Sequence, residues 1–271
     1  MEIHNFEKYM LAQNTRVHLS DYDADETSLF PRGKKASKKE LIRLSRDLDG
    51  LQELLYAEHK HKILVVLQAM DTGGKDGTIR TAYQGFNPQG FRVVSFKAPT
   101  PIELDHDYLW RVHKQIPGKG EITVFNRSHY EDVLLVRVHH LVPEETLERR
   151  YKHINDFERI LADEGTTILK FFLNISKDEQ KERLQARLDD KSKNWKFNPV
   201  DLKERKSWKE YVNAYEHILS QTSTDYAPWY VIPANKKWYR DLAIASITVQ
   251  ALQELNMQYP KSSGLDDIVF K

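Results

Sequence analysis

Cysteine is absent from the 271 residues, which excludes disulfides and thiolate metal sites. Long apolar runs are missing too. None approaches the roughly 18–20 residues of a membrane span, and no N-terminal stretch has the layout of a signal peptide. The expected setting is soluble and cytoplasmic, with no membrane partner. An excess of charge of either sign is also lacking. Lys plus Arg total 41 against 40 Asp plus Glu, a formal net charge of +1. No global field for nucleic acid is therefore expected, and any polyanion site must be local. Hydrophobic content of 40% and aromatic content of 11% still suffice for a core, in one large domain or two small ones. The eleven histidines show no HExxH or similar ligand spacing, and none is assigned to a metal.

What is present is organised around residues 62–80, KILVVLQAMDTGGKDGTIR. Ile63 to Leu67 is a β-branched apolar run of the kind that forms a strand buried on both faces. It leads into the turn Gly73-Gly74-Lys75-Asp76-Gly77 and then a helix from about Thr78. Strand, glycine turn with lysine, helix is the layout of a P-loop, in which main-chain N–H groups and a helix N-terminus face phosphates. Thr72, Gly73, Gly74, Lys75, Asp76, Gly77 and Thr78 are the predicted phosphate-binding residues. The turn departs from the pattern of Gly, four residues, Gly-Lys-Ser/Thr. Ala69 replaces the first glycine, Asp76 replaces the hydroxyl residue, and Asp71 adds a second carboxylate. Two carboxylates beside a phosphate site make sense with a cation between them, so phosphate plus Mg²⁺ is expected.

Residues 1–36 are expected to form an irregular arm on the surface, with an acidic cluster at 21–26. Ser37-Lys-Lys-Glu40 has the form of a capping box, and Leu41, Leu44, Leu48, Leu51 and Leu55 follow at helical spacing. Further strands are predicted at 91–96, 121–125, 166–173 and 229–232. Helices are predicted at about 102–115, 129–140, 143–163, 177–190, 201–221 and 236–255, with 191–200 as a loop. Strands alternating with helices imply βαβ units: a three-layer α/β fold with a five-stranded parallel sheet, in one domain over 1–271.

Ligands of such sheets bind beyond the carboxyl ends of the strands. The predicted strand 121–125 ends at Asn126 in a Walker B-like position, followed by Arg127 and Glu131. Asn126 is a weaker metal ligand than the usual aspartate, and Asp71, Asp76 and Glu131 are the candidates to supply the lost charge. Glu131 also reads as a first-turn helix acid, and Arg127 as a surface salt bridge. Residues 181–209 hold ten basic and five acidic residues, a net +5 that leaves −4 for the rest of the chain. Arg183 and Arg187 are i,i+4 neighbours there; a charge run is usually a solvated face, but after a P-loop and a fourth strand the arrangement is read as a lid closing over phosphates. Trp195, Trp208, Trp229 and Trp238 suit base stacking or, more commonly, a core.

Four stretches in order, QAMDTGGKDGTIR (68–80), SFKAPTPIELDHDYLWRVHKQIPGKGEITVFNRSHYEDVLLVRV (95–138), QKERLQARLDDKSKNWKFNPVDLKER (180–205) and STDYAPWYVIPANKKWYRDL (223–242), resemble the polyphosphate kinase 2 family. The likeness covers nearly all the chain beyond about residue 40. It implies a thymidylate-kinase-like P-loop fold with a helical lid at about 181–209. It also implies phosphoryl transfer between inorganic polyphosphate and nucleotides with Mg²⁺. By the resemblance Asp71 and Lys75 match the family's P-loop aspartate and lysine, Arg127 the arginine after Walker B, and Arg183 and Arg187 the lid arginines. Asn-Arg-Ser with Glu131 looks like the class III subgroup, whose members phosphorylate AMP as well as ADP. The implied catalytic set is Asp71, Lys75, Asn126, Arg127, Glu131, Arg183 and Arg187, with Asp71 and secondarily Glu131 toward Mg²⁺. A homo-oligomer is also implied. From the residues alone two rivals stay open: an ATP-dependent nucleoside or nucleoside-monophosphate kinase, and a non-catalytic polyanion- or RNA-binding module using 181–209.

Overall fold

A computed structural model describes residues 5–261. Five strands, β1 (Lys62–Ala69), β2 (Phe91–Ser95), β3 (Ile122–Asn126), β4 (Thr166–Asn174) and β5 (Trp229–Pro233), form one parallel sheet in the order β2-β3-β1-β4-β5. β1 lies at its centre, and Ile63 to Leu67 are wholly buried, as a strand covered on both faces requires. On one side pack α1 (Gly33–Glu58), α2 (Lys75–Ala82) and α10 (Lys237–Glu254). On the other lie α5 (Glu131–Val138), α6 (Glu144–Asp163) and α9 (Trp208–Thr222). The predicted α/β class is what the chain adopts. No helix among the described residues is long and apolar enough to cross a membrane.

Three local expectations give way to competing hydrogen bonds. Ser37 does not cap α1. The helix starts at Gly33, and the Ser37 hydroxyl lies inside it, donating to the Lys34 carbonyl at 2.8 Å. The helix expected at 102–115 is two single turns, α3 (Pro101–Leu104) and α4 (Trp110–His113). The Asp107 carboxylate accepts from the Leu109 and Trp110 amides and breaks the run. The segment expected as a loop at 191–200 already begins α8 (Pro199–Glu204), which Asn198 caps by accepting from the Val200 amide, with Pro199 in the first turn. A 3₁₀ turn, Arg205–Ser207, then leads into α9. Ser176 caps α7 (Lys177–Asp189), its hydroxyl accepting from the Glu179 amide at 3.1 Å.

The N-terminal arm is not a surface appendage. Its described part buries Phe6, Tyr9, Leu11, Val17, Leu19 and Phe30. The Leu11 amide donates to the Trp229 carbonyl at 2.8 Å, and Met10 bridges Tyr230 in antiparallel fashion. The arm thus covers the outer edge of β5, where unpaired ladder groups would otherwise face solvent. Its spaced apolar residues lack a helical or strand period because they fill gaps individually. Phe30, 1% exposed and in ring contact with Trp238, tests this placement. Phe30→Ala is expected to cost about 3–5 kcal/mol of unfolding free energy, measured by denaturant titration; a surface arm would lose under about 0.5 kcal/mol.

Candidate active site

The carboxyl ends of β1 and β3 are adjacent, with Leu67 in register with Asn126. The chain leaves β1 at Ala69, turns through Met70–Gly74 and enters α2 at Lys75. Two glycines are required by this turn. Gly74 has φ +106°, and a Cβ there would lie 2.0 Å from an Arg240 guanidinium nitrogen. A Cβ on Gly73 would meet the Ala69 methyl at 2.4 Å and the Met70 carbonyl at 2.8 Å. Ala69, in place of the first glycine, is therefore tolerated only because Gly73 has no side chain. Thr72 also adopts positive φ, at 60°. The first N–H groups of α2 have no intrahelical acceptor, as at any helix start, and together with the helix dipole favour an anion.

Four predicted side chains gather here. The Lys75 ammonium donates to the Ala69 carbonyl at 3.0 Å. Arg127, itself at φ 62°, donates to Asp71 Oδ1 at 3.2 Å. Glu131 opens α5 with its carboxyl in the field of Arg127, Lys75 and Asp71. Removal from water pushes the Glu131 carboxyl above its ordinary value; Arg127 and Lys75 oppose the rise and Asp71 adds to it. Burial lowers the Lys75 ammonium and Arg127 lowers it further, while Asp71, Glu131 and Asp76 pull it back.

Asn126 and Asp76, the two departures from the usual motifs, meet each other. The Asn126 amide donates to Asp76 Oδ1 at 2.7 Å. Asn126, read above as a weak metal ligand, thus has its amide engaged by Asp76. A neutral amide after β3 lets a carboxylate stand at position 76, where an aspartate would repel it.

The two arginines of α7 separate, contrary to the expectation of a shared anion. Arg183 is 9% exposed and faces the carbonyl side of the glycine turn. It donates to the carbonyls of Thr72 (3.2 Å), Gly73 (2.8 Å), Ala234 (2.5 Å) and Asn235 (3.3 Å), and its Nε to Glu179 at 2.6 Å. It belongs to the body of the fold and holds the turn from behind. Arg187, one helical turn on, pairs with Asp201 of α8 at 3.6 Å. Burial raises the Asp201 carboxyl and Asp71 raises it further, with Arg187 and Arg127 opposing. The segment after α7 therefore brings Asp201 toward the cluster.

Several contributors escaped the sequence reading. Asp201 was only one acid in a basic stretch. Gln180 donates to the Asp71 carbonyl at 2.9 Å and Tyr215 to the Ala69 carbonyl at 2.9 Å. Arg240, buried beside Asp241 (Nε to Oδ1, 2.8 Å), backs Gly74. Their partners are main-chain atoms distant in sequence, which no local motif announces. Trp229 is fully buried in the core, whereas Trp195 is 78% exposed. Metal donors at the site are all oxygens, from Asp71, Asp76, Glu131 and Asp201. No cluster of three or more His, Asp or Glu residues among the described ones is already gathered to hold a metal.

The chain resembles known proteins over most of its length. The chain is 59% identical over 254 residues to the AMP/ADP-polyphosphate phosphotransferase of Meiothermus ruber, covering 94% of this chain and 95% of that protein. It is 45% identical over 237 residues to the ADP-polyphosphate phosphotransferase of Rhodopseudomonas palustris, covering 83% and 82%. The crystal structure of polyphosphate kinase 2 from Arthrobacter aurescens TC1 superposes with a TM-score of 0.90 at 46% identity, over 92% of this chain and 89% of that one. The polyphosphate kinase 2 family model spans residues 32–260, from the start of α1 to beyond α10. With sheet, glycine turn and site residues all inside that span, the chain belongs to the polyphosphate kinase 2 family.

Proposed function

We propose that the protein transfers a phosphoryl group from inorganic polyphosphate to AMP or ADP, reversibly and with Mg²⁺. The observation that carries this reading is the meeting of Lys75 and Arg127 with Asp71 and Glu131 around a glycine turn at a helix start. The names of the relatives, which include AMP and ADP as acceptors, support the substrates. The acceptor is already an ionised phosphate oxygen, so the chain has little proton transfer to perform. Its task is to align two polyanions and offset their charge.

In this reading Thr72 to Thr78 cradle the phosphates through main-chain N–H groups, and Lys75 moves from the Ala69 carbonyl to a phosphate oxygen. Arg127 neutralises charge on the transferring group and Arg187 does so from the lid segment, 181–209, of one kinase domain. Asp71, with Glu131, supplies hard oxygen donors that suit Mg²⁺. Such an ion takes one or two carboxylates and completes its shell with water and substrate phosphates, so no preformed three-residue cluster is needed. When bound it offsets negative charge on the phosphates. Arg183 and Asn126 act as positioning residues, through the turn and through Asp76.

Three outcomes test the reading. With polyphosphate in place of ATP, Lys75→Ala is expected to lower kcat by about 10²–10³-fold with an unchanged melt; near-parental turnover in a folded variant would remove the site. The α7 arginines are expected to diverge. Arg183→Ala leaves four carbonyls without their donor and costs about 2–3 kcal/mol of stability, whereas Arg187→Ala lowers kcat with stability held. Equal effects on thermal melts would contradict the two placements. Finally, turnover is expected to fall as pH drops through the raised Glu131 value, because the carboxyl then loses its charge. Glu131→Gln should lack that acid limb and show a weaker Mg²⁺ requirement; a profile identical to the parent would leave Glu131 as a helix-start acid alone.

A further inference from the structure

Between Arg127 and Glu131 lie Ser128, His129 and Tyr130, three consecutive polar side chains that are fully buried. His129 and Tyr130 enter a buried network with no counterpart in the proposed reaction. Lys170, in the middle of β4 opposite Val66 of β1, is itself fully buried. Its ammonium donates to Glu158 Oε2 of α6 (2.6 Å), to the Tyr130 hydroxyl (2.9 Å) and to the Thr222 carbonyl at the end of α9 (2.6 Å). The Tyr130 hydroxyl donates to Glu158 Oε1 at 2.7 Å, and His129 Nε2 lies 3.2 Å from the same oxygen. The Tyr130 ring stands edge-on to Trp229 with centroids 4.8 Å apart. Ser128 Oγ accepts from Gln68 of β1 (3.2 Å) and from the Tyr130 amide (3.2 Å).

A buried ion pair seldom stabilises a fold more than apolar side chains of the same shape would, because both charges must leave water. Stability alone therefore gives no reason to place one under this turn. Arg127 supplies a reason. Its φ of 62° is a conformation that a side chain-bearing residue holds only when its surroundings over-determine it. We propose that the Lys170–Glu158 pair is a positioning device for the phosphoryl-transfer site, acting through the Tyr130 hydroxyl to lock the backbone at 128–130. Arg127 and Glu131, at the two ends of that segment, are thereby held at a fixed separation and aimed at Asp71 and Lys75. The proposal rests on the site reading given above.

The test is a double-mutant cycle read by steady-state kinetics with polyphosphate and AMP. Tyr130→Phe removes only the shared oxygen. The paired variant Lys170→Met/Glu158→Gln removes both charges together and leaves neither unpaired. Each is expected to lower kcat about ten-fold or more, with nucleotide KM within about two-fold and a folded protein by circular dichroism. On an Arg127→Ala background, Tyr130→Phe is expected to cost clearly less than on the parent, since one of the two groups it positions is gone and only Glu131 remains to be misplaced. Parental kcat in folded Tyr130→Phe, or an equal loss on both backgrounds, would overturn the proposal. Should the paired variant not fold, Tyr130→Phe decides alone. Unchanged turnover in Arg127→Ala by itself would remove the site reading and this proposal with it. Loss in Arg127→Ala without loss in Tyr130→Phe would remove this proposal only.

Discussion

Four main-chain carbonyls from two separate turns converge on the guanidinium of Arg183. A turn that directs its N–H groups inward to an anion must direct carbonyls outward, and buried carbonyls need donors. A planar fork with five N–H groups that stays charged in any protein environment meets that need where a lysine could not. Burial lowers the Arg183 value and Glu179 counters it. By joining the turn after β1 to the turn after β5, this one side chain ties the glycine turn to the far side of the sheet. Gly74 fits against Arg240 on the same side, so two cations back the turn.

Charge balance governs the rest of the site. Asp71, Asp76, Glu131 and Asp201 stand among Lys75, Arg127 and Arg187, so the resting site is close to neutral. Asn126 keeps it so: a carboxylate at 126 would sit against Asp76 at hydrogen-bond distance. Glu131 and Asp201, both short of water, are raised by that desolvation first, with Asp71 adding to the rise and the nearby cations opposing it. A polyphosphate chain entering such a site tips the balance negative, which is the condition under which a divalent cation becomes the natural complement.

The elements legible in the sequence were those whose information is local. The apolar run Ile63–Leu67, the leucine spacing of α1 and the glycine–lysine turn each state their structure within a few residues. Asp71, Lys75, Arg127 and Glu131 could be placed because strand ends and helix starts fix where side chains emerge. Arg183 was misjudged because i,i+4 spacing says that two arginines share a helix face, not which of them faces the core. Ser37 was misjudged because its hydroxyl prefers a carbonyl three residues back. The arm gave no signal at all, since its residues pair with β5, α9 and α10, more than 190 positions away in the chain for Val17 to Ser220 and Leu19 to Glu216.

That arm also leaves the sheet lopsided. The β5 border is occupied by the chain's own Met10 and Leu11, while β2 closes the opposite border with Arg92, Val93 and Ser95 exposed. Among the described residues, the β5 border is taken and no strand pairs with the outer side of β2. Pairing of two copies through β2 about a two-fold axis would consume both free borders at once. Growth by strand addition would then terminate at two.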